Sequence, residues 1–220
     1  MAKFFYKLPL LCLLVITSGI VSAQPFIDDI KAFKKQDSIS FPPKQAILFV
    51  GSSSFTKWKD VADYFPGYTI INRGFGGSSI PDVIRYANDI IFPYHPKQIV
   101  IYCGENDLAA SDTVSAQIVF RRFKELFTLI RSKMPQETID FISLKPSPSR
   151  AALRSKMLEA NSMIKKYISK QKNIFFIDVY NKMLTADNKP FPEIFGNDSL
   201  HMNAKGYAIW QKVIQPYLLK

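Results

Sequence analysis

Ala46-Ile47-Leu48-Phe49-Val50-Gly51-Ser52-Ser53-Ser54-Phe55 passes from an unbroken apolar run into a small, hydroxyl-rich turn. A run of about five residues, apolar at every position, fits a strand buried on both faces, as in a parallel sheet. Four further runs of this kind follow, at 68–71, 98–102, 139–143 and 174–177. The intervening stretches carry apolar residues at helical spacing. Val114, Ile118, Phe123, Leu126, Phe127 and Ile130 mark a helix over 113–134, with Asp112 as its expected cap. Leu153, Met157, Leu158, Met163, Ile164 and Tyr167 mark another over 151–170. A last helix is expected from Ala204 to about Leu218, ended or distorted by Pro216. Residues 24–40 read as a helical lead-in. Strands alternating with helices predict a doubly wound α/β fold: a three-layer α/β/α sandwich on a five-stranded parallel sheet.

In such a sheet, ligands bind outside the carboxyl ends of the strands. The segments there are Gly51-Ser52-Ser53-Ser54, Asn72-Arg73-Gly74-Phe75-Gly76-Gly77, Gly104-Glu105-Asn106-Asp107, Lys145-Pro146-Ser147-Pro148-Ser149-Arg150 and, past a loop, Asp198-Ser199-Leu200-His201. Acyl transfer needs a nucleophile, a base, a group that orients the base, and donors aimed at a developing oxyanion. A serine after the first strand can be the nucleophile and His201 the base. Asp198, three residues earlier, can hold the far ring nitrogen. Gly77, with no side chain, can bring a backbone N–H close, and Asn106 offers an amide.

These blocks, in this order, resemble the SGNH, or GDSL-type, hydrolase family. Gly51-Ser52-Ser53 stands where that family has Gly-Asp-Ser, so the chain resembles a subgroup with Gly-Ser-Ser-Ser in its place. Gly104-Glu105-Asn106-Asp107 is similar to its Gly-x-Asn-Asp block, and Asp198-Ser199-Leu200-His201 to its Asp-x-x-His block. The resemblance covers residues 45–215 and implies a flavodoxin-like fold. It implies Ser53 as nucleophile, His201 as base and Asp198 as its orienter. The implied oxyanion hole is the N–H of Ser53, the N–H of Gly77 and the side chain of Asn106, with Gly104 and Asp107 as support. Ser52 replaces the aspartate before the nucleophile, which leaves the triad intact but changes the hydrogen bonding of that loop.

Composition bounds the rest. The chain has 220 residues, 47% hydrophobic and 21% charged, which fits a globular domain and excludes a disordered or collagen-like chain. Lys3 and Lys7, the apolar run from Leu8 to Val21, and Val21-Ser22-Ala23 form a secretory signal pattern over 1–23, with 24–220 as the mature domain. The run is too short to span a bilayer, so no integral membrane segment is expected after cleavage. Removing that segment, with its two lysines and no acid, takes the net charge from +11 to +9 and leaves Cys103 as the single cysteine. Cys103, at the end of an apolar run, reads as a buried, inert thiol. His95, between prolines, reads as a turn residue.

No nucleotide loop, Gly-x-Ser-x-Gly elbow, His-Glu-x-x-His or paired-cysteine spacing occurs, so no metal or cofactor is expected. The basic residues are dispersed, which favours a solvated surface over nucleic-acid binding. Lys145 and Arg150 stand apart: they flank a strand-end loop and are candidates to line the substrate mouth. The expected function is an exported serine esterase, periplasmic or extracellular. Its substrate would be a small-molecule or carbohydrate ester with a short acyl group such as O-acetyl. The alternatives are a lysophospholipase or thioesterase-type acylhydrolase, or a non-catalytic carbohydrate- or envelope-binding protein that keeps the fold. Nothing in the sequence points to an oligomeric state.

Overall fold

The computed structural model describes residue 1 and residues 24–220; the leader expected over 1–23 lies, Met1 apart, outside them. After α1 (Ile27–Ile39) the chain enters β1 (Ile47–Gly51), α2 (Ser53–Lys57), α3 (Val61–Tyr64) and β2 (Ile70–Gly74). Next come α4 (Ile80–Arg85), α5 (Ala87–Ile90), β3 (Gln98–Tyr102), α6 (Glu105–Ala109) and α7 (Ala116–Lys133). The chain continues through β4 (Thr138–Ile142), α8 (Arg154–Ile168), β5 (Ile174–Ile177) and α9 (Ala204–Ile214). The five strands form one parallel sheet in the order β2-β1-β3-β4-β5. This is the flavodoxin-like order, and its switch point lies between β1 and β3.

Alternation along each strand splits the core into two layers. Leu48 and Val50 of β1, Ile99 and Ile101 of β3, and Ile139 and Phe141 of β4 face α1, α4, α5, α7 and α8. Ile47, Phe49, Val100, Tyr102, Ile142 and Ile177 face the opposite way, onto α2, α3 and α9. Full burial of both faces explains why β1 and β3 carry apolar side chains at nearly every position. β5 departs from that expectation. It is an edge strand, and Phe175 is 48% exposed.

The long helices sit slightly inside their expected bounds. α7 is capped by Ser115, whose Oγ accepts from Ile118 N at 3.3 Å, rather than by Asp112. Asp112 lies a turn too early for the buried stripe Val119, Phe123, Leu126 and Ile130. A 3-10 segment, Pro148–Leu153, takes up the first residues expected of α8. Pro216 does end α9, whose chain tightens into a 3-10 turn at Gln215–Tyr217. β2 runs to Gly74, so Asn72 and Arg73 belong to the strand instead of following it.

The lead-in helix is held by a buried cluster. Arg73 Nε donates to Tyr94 Oη at 2.7 Å, the Tyr94 hydroxyl donates to Asp37 Oδ2 at 2.5 Å, and the Arg73 guanidinium pairs with Asp37 Oδ1. Burial, more than these bonds, pushes the Tyr94 hydroxyl up to about 12. Among the described residues no helix is long and apolar enough to cross a membrane.

Candidate active site

β1 ends at Gly51 with φ +142°, a conformation open to glycine; an added Cβ would lie 2.0 Å from Tyr102 O. That contact lets the chain turn against β3, where Ser52 N donates to Tyr102 O at 3.0 Å, and start α2 at Ser53. α2 is too short to hold itself, and Asn72 secures its far end. Its Nδ2 donates to Phe55 O at 2.8 Å and to Trp58 O at 3.1 Å, while its Oδ1 accepts from Gly74 N. Gly74 keeps β2 close to α2; a Cβ there would lie 2.5 Å from Phe55 Cβ.

The histidine reaches the same rim from the far end of the sequence. Asp198 Oδ1 accepts from the backbone N–H groups of Leu200 (3.0 Å) and His201 (2.9 Å), which closes a tight turn. Gly196 N donates to His201 O at 2.8 Å, and Asn203 caps α9 directly behind. α9 and α2 are then locked together. Trp58 stacks on Tyr207 with centroids 4.6 Å apart, and Tyr207 Oη donates to Ser54 O at 2.8 Å.

This brings His201 Nε2 to 2.9 Å from Ser53 Oγ and His201 Nδ1 to 2.5 Å from Asp198 Oδ2. A carboxylate can only accept, so Nδ1 carries the proton and Nε2 is free to accept from the serine hydroxyl. The His201 ring, then the backbone N–H groups of His201 and Leu200, hold the Asp198 carboxyl well below the usual carboxylate range. The three adjacent serines differ in their partners. Ser53 faces His201, Ser52 Oγ meets Asn106 instead, and Ser54 is buried with its carbonyl on Tyr207.

The candidate oxyanion donors are not equally free. Among the described residues, the N–H groups of Ser53 and Gly77 have no intramolecular acceptor, and Gly77 sits in the left-handed region at φ +86°. Asn106 Nδ2 is engaged twice, with Ser52 Oγ at 2.7 Å and Ser78 O at 3.1 Å. Gly104, at φ +122°, begins α6. Asp107 is fully buried: Oδ2 accepts from Ile80 N at 3.0 Å and Oδ1 from Arg122 at 2.8 Å. Those bonds tie the asparagine helix to α4 and α7. Burial raises the Asp107 carboxyl, with the Ile80 N–H and Arg122 opposing it.

Lys145 borders the cavity beside Ser53 but is not a free cation. Its side chain is 1% exposed, and its ammonium lies 3.1 Å from Glu105 Oε2, so its charge is neutralised inside the protein. Tyr102 Oη donates to the same carboxylate at 2.6 Å. Arg150 stays half-buried, with Nε 4.0 Å from Glu105 Oε1. Glu105 escaped the sequence reading because it occupies the unspecified position of the Gly-x-Asn-Asp block and its partner is 40 residues away. Lys145, Glu105, Tyr102 and Cys103 join Ser52, Ser53, Asn106 and Leu200 around a cavity of about 10 Å³, room for one water. Burial pushes the Cys103 thiol well above its ordinary range, as expected of an inert cysteine. His95 is exposed in a left-handed turn (φ 43°), away from these groups. Among the described residues, no cluster of three or more His, Cys, Asp or Glu is placed to hold a metal ion.

The Ser53 hydroxyl, the His201 imidazole and the Asp198 carboxylate lie in line at the carboxyl rim of the five-stranded parallel sheet of an α/β/α fold. The chain belongs to the GDSL-like lipase/acylhydrolase family, whose model matches residues 37–209; these are ester-hydrolysing enzymes. No curated protein sequence matches it significantly. Solved structures share the fold. One is a Streptococcus pneumonia protein provisionally assigned as a platelet activating factor: TM-score 0.76, 19% identity, 87% of this chain and 92% of that one covered. A GDSL-like lipase from Bacteroides thetaiotaomicron aligns with TM-score 0.73 and 22% identity over 86% of this chain and 96% of its own. A variant of an acetyl-xylooligosaccharide esterase from Geobacillus Stearmophilus aligns with TM-score 0.64 and 13% identity, over 81% and 96%.

Proposed function

We propose that the chain is an exported serine esterase that removes short acyl groups, O-acetyl on carbohydrate foremost, through Ser53, His201 and Asp198. The observation that carries the reading is the continuous relay of 2.9 Å and 2.5 Å from Ser53 Oγ through His201 to Asp198. Ser53 Oγ attacks the ester carbonyl carbon while its proton passes to His201 Nε2. The oxygen that gains charge is met by the N–H groups of Ser53 and Gly77 and by Asn106. His201 then protonates the departing alcohol, leaving an acyl-enzyme. Water, giving its proton to His201, releases the acid and restores Ser53. Asp198 keeps the ring in the tautomer that can accept and stabilises the imidazolium that forms.

The preference for a short acyl group is supported by the cavity beside Ser53. That cavity, walled by Tyr102, Glu105 and Lys145, is small, about 10 Å³, which favours a short acyl group over an extended one. Export, to the periplasm or beyond the cell, rests on the leader pattern of residues 1–23.

The test is hydrolysis of 4-nitrophenyl esters by the mature protein. Acetate turns over, rates fall from acetyl to octanoyl, and Ser53→Ala removes both turnover and labelling by a fluorophosphonate probe. Turnover by Ser53→Ala at the wild-type rate would refute the nucleophile, and rates that climb with chain length would refute the acyl preference.

A further inference from the structure

A second, larger cavity lies on the same rim, beyond the ends of β4 and β5. Its volume is about 150 Å³, and its wall includes Ser147, Arg150, Arg154, Tyr180 and Lys189, with no acidic residue in the lining. Arg154 and Lys189 have no acidic partner among the described residues. Arg150 has only Glu105, at 4.0 Å and already neutralised by Lys145. Three polar atoms in this wall, Ser147 Oγ, Arg150 Nε and Tyr180 Oη, are buried without a hydrogen-bond partner. Such atoms are rare in folded proteins, and here the residues that carry three of them border one cavity. All can donate. Arg150, Arg154 and Lys189 set three cations around a lining otherwise partly apolar, with Pro146, Ala151, Met157 and Pro190, and a negatively charged group would complete that wall.

The cavity adjoins the catalytic candidates. The segment from Lys145 to Arg150 walls the small cavity beside Ser53 on one side and this cavity on the other. Ser149 N donates to Ser199 O at 3.1 Å, which binds that segment to the turn carrying Asp198 and His201. With the small cavity as the acyl side of Ser53, room for about one water there leaves a charged group on the substrate to the alcohol part.

We propose that this cavity receives an anionic group, a carboxylate or a phosphate, carried on the alcohol portion of the ester. A uronate or a phosphorylated sugar has that chemistry. The proposal rests on the esterase reading above for where the ester lies, and on the cavity alone for the charge.

The experiment compares kcat/KM for three acetyl esters of matched position: an acetylated methyl glucoside, the corresponding methyl glucuronoside, and the corresponding glucoside 6-phosphate. The expected result is a preference of tenfold or more for an anionic ester over the neutral one. The preference shrinks between 50 and 500 mM salt, as paired charges at a rim require. The higher of the two anionic ratios identifies carboxylate or phosphate. In Arg154→Ala/Lys189→Ala the ratio falls towards one; it is internal to each protein, so partial loss of folded enzyme does not affect it. Equal kcat/KM for all three esters in the wild type, or a preference that survives the double substitution, overturns the proposal.

If none of the esters is hydrolysed, the esterase reading fails separately. Calorimetry on Ser53→Ala protein with glucuronate, inorganic phosphate and glucose then decides the cavity alone. Anion binding that the double substitution removes upholds it, and no binding of either anion overturns it.

Discussion

Asn106 spends one amide hydrogen on Ser52 Oγ, 2.7 Å away, and the other on Ser78 O at 3.1 Å. Ser52 stands where the GDSL pattern has its aspartate, so this residue aims the asparagine with a neutral hydroxyl. A neutral hydroxyl is a weak competitor once a charged oxyanion arrives, because charge-assisted hydrogen bonds are about twice as strong. Asn106→Ala should therefore lower kcat for 4-nitrophenyl acetate by about 100-fold, the usual size of one lost oxyanion donor. Ser52→Ala, which leaves the Ser78 anchor, should lower it by less than about tenfold. A larger loss in Ser52→Ala than in Asn106→Ala would assign the donor to the wrong residue.

Asp198 accepts from three groups, and its carboxylate stays ionised through any ordinary assay pH. Asp198→Asn keeps an acceptor for the backbone N–H groups but can present an amide N–H to Nδ1, favouring the tautomer with the proton on Nε2. We expect kcat to fall by about a thousandfold with little change in KM, since the defect lies in proton transfer rather than in binding. A rise in KM at constant kcat would place Asp198 in substrate binding instead.

Glu105 and Lys145 form a pair with side chains 8% and 1% exposed. Glu105→Gln leaves a buried ammonium without a counter-charge, and urea unfolding should show a loss of about 3–5 kcal/mol. Glu105→Gln/Lys145→Met removes both charges while leaving an acceptor for Tyr102 Oη, and should recover most of that loss. If the double variant is as unstable as the single one, packing rather than charge explains the effect.

Asp140 is buried in β4, with Gln98 Nε2 donating to Oδ2 at 2.5 Å and Oδ1 unpartnered. Burial, partly offset by that hydrogen bond, pushes its carboxyl up to about 7. Between its ordinary value of about 4 and 7 the folded carboxyl is protonated while the unfolded one is ionised. Unfolding in that window releases a proton, so the group costs stability as pH rises through it. Asp140→Asn should match the wild type at pH 4 and exceed it above pH 7, by on the order of 4 kcal/mol at most. Urea midpoints across pH 4–8 check this, and a gap that does not grow with pH would sink it.

The alternation of short apolar runs with helical stretches determined the parallel α/β fold, because strands covered on both faces need apolar side chains at successive positions. It also placed Ser53, Gly77, Asn106 and Asp198-Ser199-Leu200-His201 at one rim, since in a doubly wound sheet every strand ends on that side. Chain order could say no more than that. Which of the adjacent serines meets His201 depends on the turn at Gly51, and that turn exists because β1 approaches Tyr102 too closely for a side chain. The fate of Lys145 was likewise a matter of tertiary contact. A lysine flanking a loop gives no sign in the sequence that a carboxylate 40 residues away is folded against it. The cavity of Arg150, Arg154, Tyr180 and Lys189 gathers residues from three separate segments, so its charge has no linear signature. Local periodicity is written in neighbouring residues and can be read there. Charge pairing and cavity shape arise between residues that only the packed sheet brings together.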